Sequence, residues 1–275
     1  MVAPSWLSKG ADVSTSTAAP SFAVPAGAAA GKIAIVTMFL DIAATTVNSV
    51  PSGFSLVPGS PVDAVNHHQY KYWKRLTGAD SGTYDFGLSA SVFIEGAAEL
   101  YDNCVGSGNP FDPNPGAAID NTAGSASPPV GTDSVGPDRL TIHTATCWAG
   151  GTWTPPSTFT KRINTPVGLI TTSDKQQSSQ GPSGSLSATT TTSDKRTAHV
   201  IDLIGTTVAG GSMQTISDEA RANLLANRVL VDPQRLSNVD LVGLVLADGA
   251  QVLIPKTSAT TAEHYNRYLI TLRDT

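Results

Sequence analysis

Between Val50 and Tyr101 the chain breaks into four short runs, each closed by Pro, Gly, Ser or Asp. They are Val50–Val57, His68–Arg75, Leu76–Leu88 and Ser91–Tyr101. Several alternate apolar and polar residues with a period of two, which is the pattern of strands joined by turns. The same logic returns later. Trp153-Thr-Pro-Pro-Ser157, followed by Phe159, repeats Val50-Pro-Ser-Gly-Phe54: proline, small residues, then an aromatic at a strand start. Both halves give strand, Pro-aromatic strand, alternating strand, polar turn, Thr/Ser-rich strand and apolar strand. The pattern predicts two facing sheets, with one half of the repeat in each.

The fold class expected is therefore mainly β. It is an antiparallel, jelly-roll-like β-sandwich with a small C-terminal α-helical hairpin and a terminal strand segment. Residues 1–19 read as a loosely ordered arm, 20–207 as the sandwich, and 208–275 as a linker plus a small helical region. Ile33–Leu40, the longest apolar run, reads as a central strand and is too short to span a bilayer. Gly106–Pro137 is dense in Pro and Gly and reads as a long irregular loop of the kind that often makes contacts. Thr215–Glu219 places acids at a helix start, and Ser237-Asn-Val-Asp240 resembles a capping box leading into Val239–Leu246. Those two segments form the predicted hairpin, with Pro233 ending its first helix. Gln251–Pro255 and Tyr265–Leu272 read as strands.

Composition narrows the function. Charged residues are 14 % of the chain, against about a quarter in ordinary soluble domains. Ser, Thr, Gly and Ala take their place, which predicts hydroxyl-rich surfaces. The net charge is −5, and Lys71, Lys74 and Arg75 are the nearest approach to a basic patch. A nucleic-acid partner is not expected, because phosphate neutralisation needs clustered cations. Cys104 and Cys147 read as two buried free thiols rather than a pair. The start Met1–Lys9 lacks a charged opening followed by an apolar stretch, so a leader peptide is not expected and folding in a cytoplasm is.

Signatures of site chemistry are missing from the sequence. It contains no G-x-S-x-G, Walker loop, G-x-G-x-x-G, H-E-x-x-H or C-x-x-C. No catalytic, cofactor-binding or metal-binding residues are assigned. His67-His68 would point to opposite faces of a strand and reads as a solvated turn. Glu95 and Glu99 share one side of a strand and read as surface carboxylates. Asp112, Asn114 and Asp120 offer oxygen ligands without calcium-loop spacing and read as an Asx-rich turn. In His68–Arg75 the two tyrosines share one face. Trp73, between Lys71 and Arg75, lies on the other and reads as core.

Val24-Pro-Ala-Gly27, Pro51-Ser-Gly-Phe54, Tyr72-Trp-Lys-Arg75, Gly78-Ala-Asp-Ser-Gly-Thr-Tyr84-Asp-Phe86 and Trp153-Thr-Pro-Pro-Ser157 occur in order. Together they resemble a β-sandwich domain of virion proteins from actinobacterial, mycobacteriophage-like tailed phages. Ile216–Leu225 and Asp232–Leu241 look like a short helical element of minor tail proteins in such viruses. The resemblance implies a non-enzymatic structural protein of the virion, most simply a minor tail or tail-tip protein. It implies assembly in the host bacterial cytoplasm, other virion proteins as partners, and a homo-oligomer, with a trimer as one form. A capsid-surface decoration protein and a carbohydrate-binding module are the alternatives. Expected subunit contacts are Trp6, Leu7, Phe111, Leu224, Leu225, Leu241 and Leu244. Trp6 and Leu7 read either as a frayed end or as an anchor on a neighbouring subunit. Tyr70, Tyr72 and Trp148 are the expected contacts to a host-surface glycan. No cofactor and no membrane insertion are expected.

Overall fold

The computed structural model describes residues 2–42, 44–206, 241–245 and 251–255. The chain divides into two compact units, Met1–Val208 and Ala209–Thr275. Among the described residues the structure is mainly β. In the first unit, two multi-stranded antiparallel sheets pack together.

The first half supplies β1 (Ser5–Lys9), β2 (Val13–Thr17), β3 (Ser21–Ala23), β4 (Ile33–Asp41), β5 (Val47–Ser49) and β6 (Ser55–Leu56). It continues with β7 (Val62–Asp63), β8 (His67–Arg75), β9 (Thr83–Asp85), β10 (Gly87–Leu88) and β11 (Val92–Asp102). The second half supplies β12 (Gly116–Ala126), β13 (Asp133–Ser134), β14 (Arg139–Cys147) and β15 (Trp153–Thr154). It ends with β16 (Thr160–Asn164), β17 (Ile170–Gln177), β18 (Gly181–Pro182) and β19 (Thr189–Ile204).

The first sheet runs β1/β2, β11, β4, β8, then β6 and β7; the second runs β12, β19, β14, β17, β16. The two orders are the same. In each, the first strand is at one edge and the last strand lies beside it. The second and fourth strands follow, and the third closes the far edge. Minor pairings repeat as well. β3 pairs β9 as β13 pairs β18, and β5 pairs β10 as β15 pairs the start of β19. The duplication expected from Val50–Phe54 and Trp153–Phe159 is present at these positions, since the two motifs lead into β6 and β16.

Each inner strand is covered on both faces, and this explains the unbroken run Ile33–Leu40. Ala34, Val36, Met38 and Leu40 join Tyr70, Tyr72, Tyr84 and Phe86 in a core within the first half. Ile33 and Ile35 point the other way, into a core shared with Leu140, Ile142, Ile201 and Leu203 of the second sheet. Phe39 meets Leu169 and Ile170.

Two segments depart from expectation. Residues 5–17 are strands that pair with β11, with Trp6 opposite Tyr101 and Thr15 opposite Ile94, not a loose arm. Gly106–Pro137 contains β12, which pairs Gly116–Asp120 with Val200–Arg196. Ala117, Ala118 and Ile119 carry that strand between the proline clusters.

In the second unit, β20 (Leu241–Val245) pairs antiparallel with β21 (Gln251–Pro255). Leu241 and Leu244, expected on a helix, therefore lie in a strand. Leu-Val-Gly-Leu-Val is a short apolar run with two β-branched residues and a glycine, and this outweighs the capping pattern before it. The expectation for Gln251–Pro255 holds. The predicted helix at Thr215–Pro233, with Leu224 and Leu225, and the predicted strand Tyr265–Leu272 lie outside the described residues.

Candidate functional site: the buried polar layer between the sheets

Strand alternation decides which groups face the second sheet. Register places Thr37 of β4 beside Lys71 of β8 and Ala97 of β11. Residues 67, 69 and 71 of β8 and 95, 97 and 99 of β11 lie on that same inner face. Opposite them, Thr144 of β14 pairs with Thr172 of β17 and His199 of β19. The centre of the contact between sheets is therefore polar, although apolar clusters flank it.

Hydrogen bonds cross this layer. His67 Nε2 meets Thr146 Oγ1 at 2.8 Å, Thr146 meets Thr197 at 2.6 Å, and Thr197 Oγ1 donates to Gln69 Oε1 at 2.7 Å. Thr172 Oγ1 donates to Glu99 Oε1 at 2.9 Å. His199 Nε2 lies 2.9 Å from the Pro58 carbonyl, so that nitrogen carries the proton. Glu95 makes the densest joint. Its carboxyl oxygens accept from Ser14 Oγ at 2.9 Å, from Val167 N and Leu169 N at 2.8 Å each, and from Thr165 Oγ1. Gly168 shapes the receiving loop. It has φ of 78°, and a Cβ there would meet the Gly151 carbonyl at 1.8 Å, so only glycine fits.

Burial sets the electrostatics. Desolvation pulls the Lys71 amine down to about 7, with the Glu99 charge opposing it. Desolvation pushes the Glu99 carboxyl up to about 7, opposed by the Thr172 hydroxyl and Lys71. The imidazole of His67 falls to about 4 through burial and its neighbour His68, and His199 falls well below its ordinary value for the same dominant reason. His143 lies on the opposite face of β14, edge-on to Phe159, and burial takes it down to about 3. Both of its ring nitrogens are without a hydrogen-bonding partner. Replacing His143 with Leu is expected to stabilise the protein, by about 2 kcal/mol more at pH 5 than at pH 8. Urea midpoints at the two pH values check this; equal gains at both would refute the titration of His143 as the cause.

The layer corrects several readings. Glu95 and Glu99 share a face as expected, but that face is buried, because the second sheet covers it. His67 and His68 do point to opposite faces. Both are buried in β8 rather than solvated, with His68 Nδ1 at 2.5 Å from Asp63. Tyr70 and Tyr72 are 8 % and 7 % exposed in the core of the first half, so neither offers a ring face for a sugar to stack on. Trp148 is half-buried against Phe39, with ring centroids 6.5 Å apart. Trp6 is half-buried with the Arg162 guanidinium 4.6 Å from its ring centroid. Phe111 is buried edge-on to Trp73 within the chain, and Leu7 stays on the surface at 38 % exposure. Asp112 pairs with Arg139 at 2.9 Å and Asp120 pairs with Arg196. Among the described residues no group of three or more His, Cys, Asp or Glu is placed to hold a metal. Cys104 and Cys147 are free and buried, as expected. No helix among the described residues is long and apolar enough to cross a membrane.

Sequence reasoning missed Lys71, His199 and the threonines of β14, β17 and β19 as a joint set. One signal was available. The two halves repeat, so polar residues on the inward side of one half should meet polar residues on the inward side of the other.

No family model, curated protein or solved structure matches the chain.

Proposed function

We propose that this chain is a non-enzymatic structural protein of a phage virion, most simply a minor tail or tail-tip protein that works through subunit contacts. One observation carries the reading. The ionisable side chains Lys71, Glu99, His67 and His199 are sealed between two sheets of one strand order, and His143 is buried on the other face of β14. A jelly-roll-like double sandwich held in this way is a rigid block, suited to a place in an assembly. The surface left to partners is poor in charge. It includes Val65 at 60 % and Ile119 at 47 % exposure, brought close where Val65 N donates to Asn121 Oδ1 at 3.1 Å. Apolar positions of this kind suit contact with other virion proteins or with further copies of the chain.

The test is mass spectrometry of purified particles from cells that express the chain during infection. Multiple copies per particle are expected, in proportion to tail proteins. A stoichiometry that tracks the capsid lattice would move the assignment to capsid decoration, and particles that lack the chain would sink both placements.

A further inference from the structure

At the centre of the two inner faces, Thr37 Oγ1, Gln69 Nε2, Lys71 Nζ, Thr144 Oγ1 and His199 Nδ1 lack a hydrogen-bonding partner, while the Glu99 carboxyl and the Tyr101 hydroxyl have only each other beyond the Thr172 bond. None of these residues is more than 1 % exposed. Native interiors satisfy buried polar atoms with protein groups or with ordered water. These residues are neighbours by register. Thr37 sits beside Lys71 and Ala97, and Thr144 sits between Thr172 and His199. The bonds Thr172–Glu99, Thr197–Gln69 and His199–Pro58 clamp the sheets around them. Ala97 contributes only a methyl group between Glu95 and Glu99, so the middle of this face is built low.

The chemistry of these atoms selects the ligand. Lys71 Nζ and Gln69 Nε2 donate. Glu99 Oε2 accepts, and His199 Nδ1 accepts because the Pro58 carbonyl fixes the proton on Nε2. The two threonine hydroxyls and the Tyr101 hydroxyl do either. A set made only of donors would suit an anion, and a set made only of acceptors a cation. A balanced set is what water satisfies, since each molecule both donates and accepts.

We propose that the centre of the layer is an internal hydration site. Its ordered waters link Lys71 to Glu99 by way of Thr37, Thr144 and His199. Lys71 and Glu99 form no direct ion pair within 4.0 Å, so their attraction runs through these waters. At about three hydrogen bonds per buried water, these atoms require about two molecules.

Water-oxygen magnetic relaxation dispersion counts long-lived internal waters in solution and needs no crystal. The wild-type chain is expected to hold about two more than the variant Lys71→Met/Glu99→Leu/Thr144→Val. The single variant Thr144→Val, which keeps its shape and removes one hydroxyl, serves if the triple variant does not fold; it should lose about one water. A crystal structure soaked in bromide supplies the second arm. Water peaks within hydrogen-bonding distance of Lys71 Nζ and Glu99 Oε2 support the site. An anomalous bromide peak there identifies an anion site and overturns the proposal, as does a dry layer with Lys71 directly on Glu99. Unchanged water counts in both variants overturn it too. None of these outcomes depends on where the protein acts.

Discussion

Glu95→Ala is expected to lower the unfolding free energy by about 3–5 kcal/mol, a large share of the roughly 5–15 kcal/mol that holds a typical domain. The residue stands on β11 of the first sheet, yet most of its partners belong to the loop between β16 and β17 of the second. Its truncation removes the acceptor for two backbone N–H groups and for the hydroxyls of Ser14 and Thr165. Leu169 N and Thr165 Oγ1 are buried with the carboxyl, so water cannot replace it without opening the joint. Glu95→Gln keeps the volume and one acceptor oxygen but turns an NH2 toward donors, so its loss should be intermediate. Urea denaturation read by tryptophan fluorescence gives both values. The idea fails if Glu95→Ala shifts the midpoint no more than a surface substitution such as Thr15→Ala. A second transition in the Glu95→Ala curve would show that this carboxyl couples the unfolding of the two halves.

Acidification should destabilise the protein well before ordinary acid denaturation. The histidines set the sign. His67 and His143 keep folded values of about 4 and about 3, and His199 is also held low, all against an unfolded value of 6.5. Below pH 6.5 the unfolded chain binds three protons that the folded chain refuses, so stability falls as pH falls through this window. Glu99 acts in the opposite direction. Its folded value of about 7 lies above its ordinary 4.5, so between these values the folded state holds the extra proton. Lys71 is protonated in both states below about 7 and adds no slope there. Asp174 and Asp202, both raised above their ordinary 3.8 by burial, act in the same direction as Glu99 and reduce the slope toward the acid end of the window. Between pH 6.5 and 4.5 the balance is about two protons taken up on unfolding, or up to about 2.7 kcal/mol per pH unit. Denaturant midpoints at half-unit steps of pH measure the slope. A flat profile over this window contradicts the burial of the three imidazoles as neutral groups.

The fold was legible wherever a strand carried its own period and its own punctuation. Ile33–Leu40 could be read directly, and the duplication was visible because Val50–Phe54 and Trp153–Phe159 both lead into the third strand of a sheet. β12 was hidden because prolines on either side drew the whole of Gly106–Pro137 into one loop, although prolines outside a strand say nothing against the strand itself. β1 and β2 were hidden because edge strands of Ser and Thr have little apolar pattern to show. The site was half legible. Parity put Glu95 and Glu99 on one face and separated His67 from His68. Parity does not say whether a polar face meets water or another sheet, and here it meets a sheet whose own inner face is threonine-rich. Leu241–Val245 was misread because a capping pattern specifies a helix start only if the chain beyond it prefers to be helical.

The polar centre of the layer also bears on synthesis. Residues leave the ribosome in order, so the first sheet is complete once Asp102 has emerged, before any strand of the second half exists. For that interval its inner face stands in water with Thr37, Gln69, Lys71, Glu95 and Glu99 among its isoleucines. A face of that composition can be hydrated while it waits, whereas a wholly aliphatic one would invite contact with other nascent chains. The same groups that are costly to bury at the end thus keep the unfinished half apart from its neighbours until the second half arrives to cover it.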